Sequence, residues 1–232
     1  MTKSSACAFV KLLALLLCHG VFGTSSSLEP ATWLEQDSTH SSHKIQGFRA
    51  GEVGRPGIVL VHEWWGISEA VKEHAEALAA QGYRVLVPKL ATWHPAHEHV
   101  TNLLRKQHDF TREGWWRAMA HGITEDFLPG VNATVTELHR EGSQKTAVVG
   151  FCLGGAVAVS ALAKFPGVAA AVSFSGVPFN LPSAPMRKPI QAHFGAESKA
   201  SGFSDAKAIA KLKDKCPRGE GQQVFVYEGL PL

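Results

Sequence analysis

Short, wholly apolar runs alternate with amphipathic stretches along most of the chain. Residues 57–62 read Gly-Ile-Val-Leu-Val-His, an unbroken apolar run of the kind needed by a strand covered on both faces. Residues 68–81 then carry Val71, Ala75, Leu78 and Ala79 at helical spacing, and Gly82 closes the segment. A second strand, 84–87, follows at once and ends at Pro88. Farther along, the pattern predicts a helix over 128–140, a central strand over 146–151, a helix over 153–164 and a strand over 168–174. A strand over 188–194, a helix over 205–213 and a strand over 222–227 complete the series. Repeated strand and helix alternation predicts the α/β class, with a mostly parallel central sheet and helices on both faces.

Two regions break this rhythm. Residues 90–127 are polar and rich in His and Trp without a dominant period, and read as an insertion over a site. Residues 1–23 have a basic start, the apolar run Leu12-Leu13-Ala14-Leu15-Leu16-Leu17-Cys18 and small or compact residues at Val21 and Gly23. That is the grammar of a signal peptide, with a run too short to span a bilayer. It predicts entry into the secretory pathway or export, or the first part of a bipartite organelle address. Residues 24–43, rich in Ser and Thr, read as a linker, which leaves 44–232 as one catalytic-size domain.

With 232 residues, 45% of them hydrophobic and 19% charged, the chain can bury one sizeable core. The net charge of +3 includes Lys3 and Lys11, so the body without the leader is nearly neutral and offers no footprint for nucleic acid. Cys7 and Cys18 lie in the leader, and the remaining Cys152 and Cys216 do not make a disulfide framework. Asn132-Ala133-Thr134 fits the glycosylation acceptor pattern but falls in a predicted helix.

The sharpest chemical signal is Gly150-Phe151-Cys152-Leu153-Gly154-Gly155, set between a predicted strand and a predicted helix. A nucleophile on a tight strand-to-helix turn needs small residues two positions to either side, because its backbone is strained and neighbouring chain passes close. Gly150 and Gly154 occupy those positions. The helix N-terminus behind Cys152 would favour a thiolate, and the Leu153 N–H would face a developing oxyanion. The bland alternative is a buried structural cysteine beside glycines used for packing.

Together with Val61-His62-Glu63-Trp64-Trp65-Gly66 at the end of the first buried strand, this motif is similar to the dienelactone hydrolase family of α/β-hydrolases. The resemblance also takes in Pro88 and the strand 188–195, and runs from about Gly47 onward. It implies a cysteine hydrolase of lactone or carboxylic-ester substrates that needs no metal or cofactor and binds a small molecule rather than nucleic acid or membrane. By matching position, Glu63 corresponds to the glutamate that controls the protonation of the thiol, and the Trp64 N–H to a second oxyanion donor. Independently of the family, a carboxylate at the C-terminal end of a parallel strand stands at the functional edge of the sheet. His62-Glu63 does not begin a zinc-peptidase motif, because Gly66 stands where the second His would be. His94, His97 and His99 are spaced closely enough to clasp a metal, or form a solvated loop. Trp93, Trp115 and Trp116 would line an aromatic pocket or pack the insertion to the body.

The remaining triad members are not where the resemblance asks for them. Ser198 stands at the position of the family's aspartate, with Glu197 and Asp205 as candidate replacements. The family's histidine follows the last strand, whereas His193, the only histidine after Cys152, lies within a predicted strand. The expectation is a C-terminally truncated, weakly active and poorly soluble form. The competing readings are a non-catalytic protein of this fold that binds a small molecule or a protein partner, and a redox sensor built on Cys152.

Overall fold

A computed structural model of the chain describes residues 27–36, 42–90, 113–198, 200–216 and 221–230. Its elements are β1 (Glu29–Gln36), β2 (Ser42–Ala50), β3 (Gly57–Val61), α1 (Glu69–Ala80), β4 (Arg84–Pro88) and α2 (Glu113–Arg140). β5 (Thr146–Phe151), α3 (Leu153–Lys164), β6 (Val168–Phe174), β7 (Ile190–Gly195), α4 (Ala206–Lys215) and β8 (Gln222–Tyr227) follow. The eight strands form one sheet in the order β1-β2-β4-β3-β5-β6-β7-β8. β1 and β2 are antiparallel to each other, β2 is antiparallel to β4, and every pair from β4 onward is parallel. This is the mostly parallel α/β architecture that the alternating pattern predicts.

Burial explains why the central strands read as continuous apolar runs. All residues of β3 and β4 are buried, and Ile58, Val59, Leu60 and Val61 are wholly inaccessible. Their alternate side chains enter two different cores. Val59 and Val61 belong to the core on the face covered by α2, α3 and α4, which also holds Val131, Leu138, Val157 and Leu212. Ile58 and Leu60 pack on the other face with Val71, Ala75, Leu78 and Ala79 of α1. Ser68 begins α1 as its N-cap, accepting the Val71 N–H.

Two expectations need correction. The stretch 24–43 is not a linker throughout: it contains all of β1 and the start of β2, which pair from Glu29↔Arg49 to Gln36↔Ser42. Trp33 of β1 is buried, and its indole N–H donates to Thr134 Oγ1 of α2 at 3.0 Å. The sequence of β1, Glu-Pro-Ala-Thr-Trp-Leu-Glu-Gln, lacks the continuous apolar run that marks the central strands. The second correction concerns 90–127, since α2 starts at Glu113 and runs through Pro129 to Arg140. Its first half therefore belongs to a helix rather than to an irregular insertion. Trp93, His94, His97 and His99 lie outside the described residues, as does the stretch 1–23. Nothing is described of the side chains of Trp115 and Trp116.

Within the acceptor tripeptide Asn132-Ala133-Thr134, Asn132 is exposed, while the Thr134 hydroxyl is committed to the fold, donating to Gly130 O at 2.7 Å as it accepts from Trp33. Cys152 and Cys216 are both free thiols. Among the described residues no helix is long and apolar enough to cross a membrane.

A row of rings crosses the α1 face of the sheet. The register pairs Phe151↔Phe174, Phe174↔His193 and His193↔Phe225 place these side chains side by side on β5, β6, β7 and β8. Successive centroids lie 4.9–5.0 Å apart with nearly parallel planes, and His74 of α1 stacks on Phe151 at the end of the row. His193 is buried there with Nδ1 2.8 Å from the Tyr227 hydroxyl and Nε2 without a hydrogen-bond partner. Removal from water pushes its pKa down to about 4.

Two stability predictions follow from buried charge. The Arg84 guanidinium donates to both Glu141 carboxylate oxygens at 2.7 Å and to Gly51 O, with both side chains largely buried. Glu141→Ala strands that cation, and urea unfolding should show a loss of about 3–5 kcal/mol. For His193, the unfolded chain binds a proton at ordinary imidazole pH that the folded chain refuses until about pH 4. Stability is therefore complete above the ordinary imidazole range and declines as the pH falls toward about 4; the same titration of His193→Phe should lose that part of the slope.

Candidate active site

β5 ends at Phe151, and the chain turns at Cys152 directly into α3. Cys152 has φ 52 and ψ −115, a left-handed conformation that side-chain-bearing residues rarely hold outside sites that over-determine them. Its backbone is pinned on both sides. The Cys152 N–H donates to Phe174 O of β6 at 2.7 Å, and Cys152 O accepts from Gly155 N–H at 2.9 Å and Ala156 N–H at 3.3 Å.

The glycines around it are required by contact between backbones. A Cβ on Gly150 would run into the Gly154 carbonyl of α3, and one on Gly154 would meet the carbonyls of Val61 and His62 at the end of β3. A Cβ on Gly176 would strike Cys152 O, so the bend beyond β6 closes against the same turn. Ser175, immediately before it, is the other non-glycine residue at positive φ among the described residues, with φ 57. Sequence reasoning found Gly150 and Gly154 but missed Ser175-Gly176. Their signal was a small pair following the apolar strand β6.

The thiol sits in a conflict of electrostatic influences. Burial dominates and pushes its pKa up to about 11, although a hydrogen bond from the Leu153 N–H favours the thiolate. The Glu63 charge adds to the upward push, which places that carboxylate within electrostatic reach of the sulfur. Burial of the sulfur thus outweighs the single backbone donor at the start of α3. Glu63 is itself half-buried, and burial raises its carboxyl above the usual range.

Glu63 and Trp64 lie in a tight turn after β3, closed by Gly66 N–H donating to Glu63 O at 3.1 Å and by Gly66 at φ 102. Trp64 packs partly against the core that contains α3, whereas Trp65 is 55% exposed and meets Trp64 edge to face at 5.3 Å. The turn thus joins a half-buried acid, a backbone N–H and an open aromatic surface at the C-terminal edge of the parallel sheet.

The two candidate replacements for the triad acid fare differently. Asp205 is the N-cap of α4: Oδ1 accepts the Ala208 N–H at 2.8 Å and Oδ2 the Gly202 N–H at 3.0 Å. Both oxygens are occupied by its own loop, which gives it a structural use. Glu197 is exposed just beyond β7, and its backbone N–H donates to Leu230 O at 3.2 Å. Ser198 shares a hydrogen bond with Ser204 at 2.6 Å. Among the described residues no cluster of three or more His, Cys, Asp or Glu side chains is placed to hold a metal.

A family model described as the dienelactone hydrolase family matches residues 45–230. A curated relative, Protein usf of Aquifex pyrophilus, is 27% identical, with 58% of this chain and 58% of that protein covered. Among solved structures, a dienelactone hydrolase-like promiscuous phosphotriesterase from metagenomic libraries superposes with a TM-score of 0.61 at 18% identity, covering 88% of this chain and 83% of its own. An esterase of Pyrococcus furiosus gives 0.61 at 14% identity, covering 88% and 84%. At these identities the superpositions report a shared fold.

Because the Glu63 charge opposes ionisation of Cys152, Glu63→Gln should lower the thiol pKa. Thiolate absorbance followed through an alkaline titration, with Cys152→Ala subtracted to remove Cys216, measures this. A pKa that stays put or rises in Glu63→Gln would separate the two groups.

Proposed function

The chain belongs to the dienelactone hydrolase family, and we propose that it is a hydrolase of lactone or carboxylic-ester bonds with Cys152 as nucleophile. The observation that carries this reading is the left-handed Cys152 at a strand-to-helix turn whose neighbours are glycines by steric necessity. Holding a cysteine in that conformation costs on the order of 1–3 kcal/mol, which a merely structural thiol would not require.

In this reading Cys152 Sγ attacks the substrate carbonyl carbon, and the thiol proton passes to Glu63. The carbonyl oxygen becomes an oxyanion facing the N–H groups of Leu153 and Trp64, with Leu153 heading a helix whose N-terminal end favours negative charge. Collapse of the tetrahedral intermediate breaks the acyl–oxygen bond, and the leaving alkoxide recovers a proton from Glu63. The thioester on Cys152 is then cleaved by water. The proton transfer also settles the electrostatic conflict at the site: a thiolate beside an ionised Glu63 is disfavoured, and one beside a protonated Glu63 is not. A carboxyl raised by burial is better matched to that exchange than an exposed one.

The hydrolytic half of the cycle is less well served. His193, the only histidine after Cys152 in the sequence, is confined to the ring stack, and Asp205 is spent on a helix cap. General-base assistance to the attacking water is worth roughly a hundredfold to ten-thousandfold. Within these 232 residues acylation should accordingly outrun deacylation, so that the thioester accumulates.

Mixed with a chromogenic phenyl ester or an activated lactone, the protein should release a burst close to one equivalent and then turn over slowly. Intact-mass measurement should place the acyl group on Cys152, and Cys152→Ala should abolish both burst and adduct. Turnover unchanged in Cys152→Ala would remove the cysteine from the mechanism. Ligand binding retained in that variant, with no thiol-dependent step in the parent, would favour a non-catalytic binder.

A further inference from the structure

His62 takes no direct part in the chemistry above, yet it is completely buried between the acid-bearing turn and the end of β4. Both ring nitrogens are engaged. Nε2 lies 3.2 Å from the Leu90 backbone nitrogen, and Nδ1 lies 2.6 Å from Glu63 O. The Leu90 N–H can only donate, so Nε2 is the accepting nitrogen. The proton of the neutral ring is then on Nδ1 and is donated to the Glu63 carbonyl, a tautomer assigned by the bonding pattern. Phe127 of α2 braces the ring edge to face at 5.5 Å.

The accepting carbonyl belongs to the Glu63–Trp64 peptide, whose N–H is that of Trp64. No cis bond occurs among the described residues, so the C=O and N–H of this planar unit point in opposite directions. Fixing the carbonyl therefore fixes the N–H. The Glu63 oxygen receives Nδ1–H from His62 and the Gly66 N–H, and these two donors set the orientation of the plane. A donor on the carbonyl also polarises the peptide and strengthens its N–H as a hydrogen-bond donor. On the other side, the His62 carbonyl lies where a Cβ on Gly154 would come within 2.7 Å of it, so the same residue abuts the first turn of α3.

We propose that His62 is the positioning residue of the oxyanion hole, aiming and polarising the Trp64 N–H through the peptide carbonyl while its other nitrogen ties that turn to the end of β4. The proposal rests on the hydrolase reading for its catalytic consequence. Its structural content, the link from the His62 ring to the Trp64 amide, stands independently.

The test uses His62→Phe, which keeps a ring against Phe127 and removes both hydrogen bonds, and His62→Asn, whose shorter amide can still donate to Glu63 O. Three readouts are taken: the Trp64 backbone amide resonance, acylation of Cys152 by an activated ester, and alkylation of Cys152 by iodoacetamide. Alkylation is a displacement that forms no oxyanion. In His62→Phe the Trp64 amide should move and acylation should slow roughly tenfold to a hundredfold, a part of what loss of a whole donor costs. Alkylation should stay within about twofold, since the reactivity of the thiolate itself is not altered. His62→Asn should restore most of the amide position and of the acylation rate. A Trp64 amide that does not move in His62→Phe overturns the proposal, as does an equal fall in acylation and alkylation, which would mark general disruption of the site. If His62→Phe does not fold, His62→Asn decides: both measures near the parent's support the link, and both lost overturn it. If the parent itself is never acylated, the hydrolase reading falls, and the amide resonances alone decide the role of His62.

Discussion

Backbone meeting backbone at the end of β5 is the constraint on which this molecule turns. The first turn of α3 lies against the carbonyls that end β3, and the bend after β6 lies against the carbonyl of Cys152. No side chain fits between these segments at Gly150, Gly154 or Gly176. The strain at Cys152 persists because the neighbouring strand β6 and the first turn of α3 fix its peptide groups at the same time, through Phe174 O, Gly155 N–H and Ala156 N–H. The sheet thus presents a sulfur atom at its rim with little freedom to relax.

The same compactness sets the protonation chemistry. A backbone donor is a usual means of making a thiol acidic, but here the loss of water around the sulfur is larger than the effect of the Leu153 N–H. The carboxylate that reaches the thiol pushes in the same direction as burial. Both influences favour the protonated thiol, which is less open to oxidation and alkylation than a thiolate. In the proposed hydrolysis, activation moves one proton between two partly buried groups.

The central architecture was legible because each buried strand is apolar on both faces: residues 57–61, 84–88 and 146–151 stand out from any amphipathic alternative. The turn at Cys152 was legible for a different reason, since steric exclusion leaves glycine as the only solution at fixed offsets. β1 was not, because the contact of its buried Trp33 is with Thr134, far away in sequence, and leaves no local period. Asp205 shows the limit of spacing arguments about acids. A carboxylate near the expected loop serves as a helix cap, and the sequence around it carries the capping signal as plainly as the catalytic one. Ser175 escaped notice, and His62 was read only as part of a motif, because a φ angle and a hydrogen-bonded peptide plane are not recorded in composition.

The outermost strand, β1, also bears on how the chain tolerates cleavage near its start. A protease acting before Glu29 would leave the paired edge whole, whereas a cut among residues 37–41 would detach a strand with its complete register on β2 and withdraw an indole from its slot beside α2. The freshly bared rim of β2 would carry unmatched amide and carbonyl groups, the usual starting point for edge-to-edge aggregation. The permissible zone for trimming is therefore bounded by a tryptophan that lies far from Cys152 in sequence, on the edge strand four places from β5 in the sheet order.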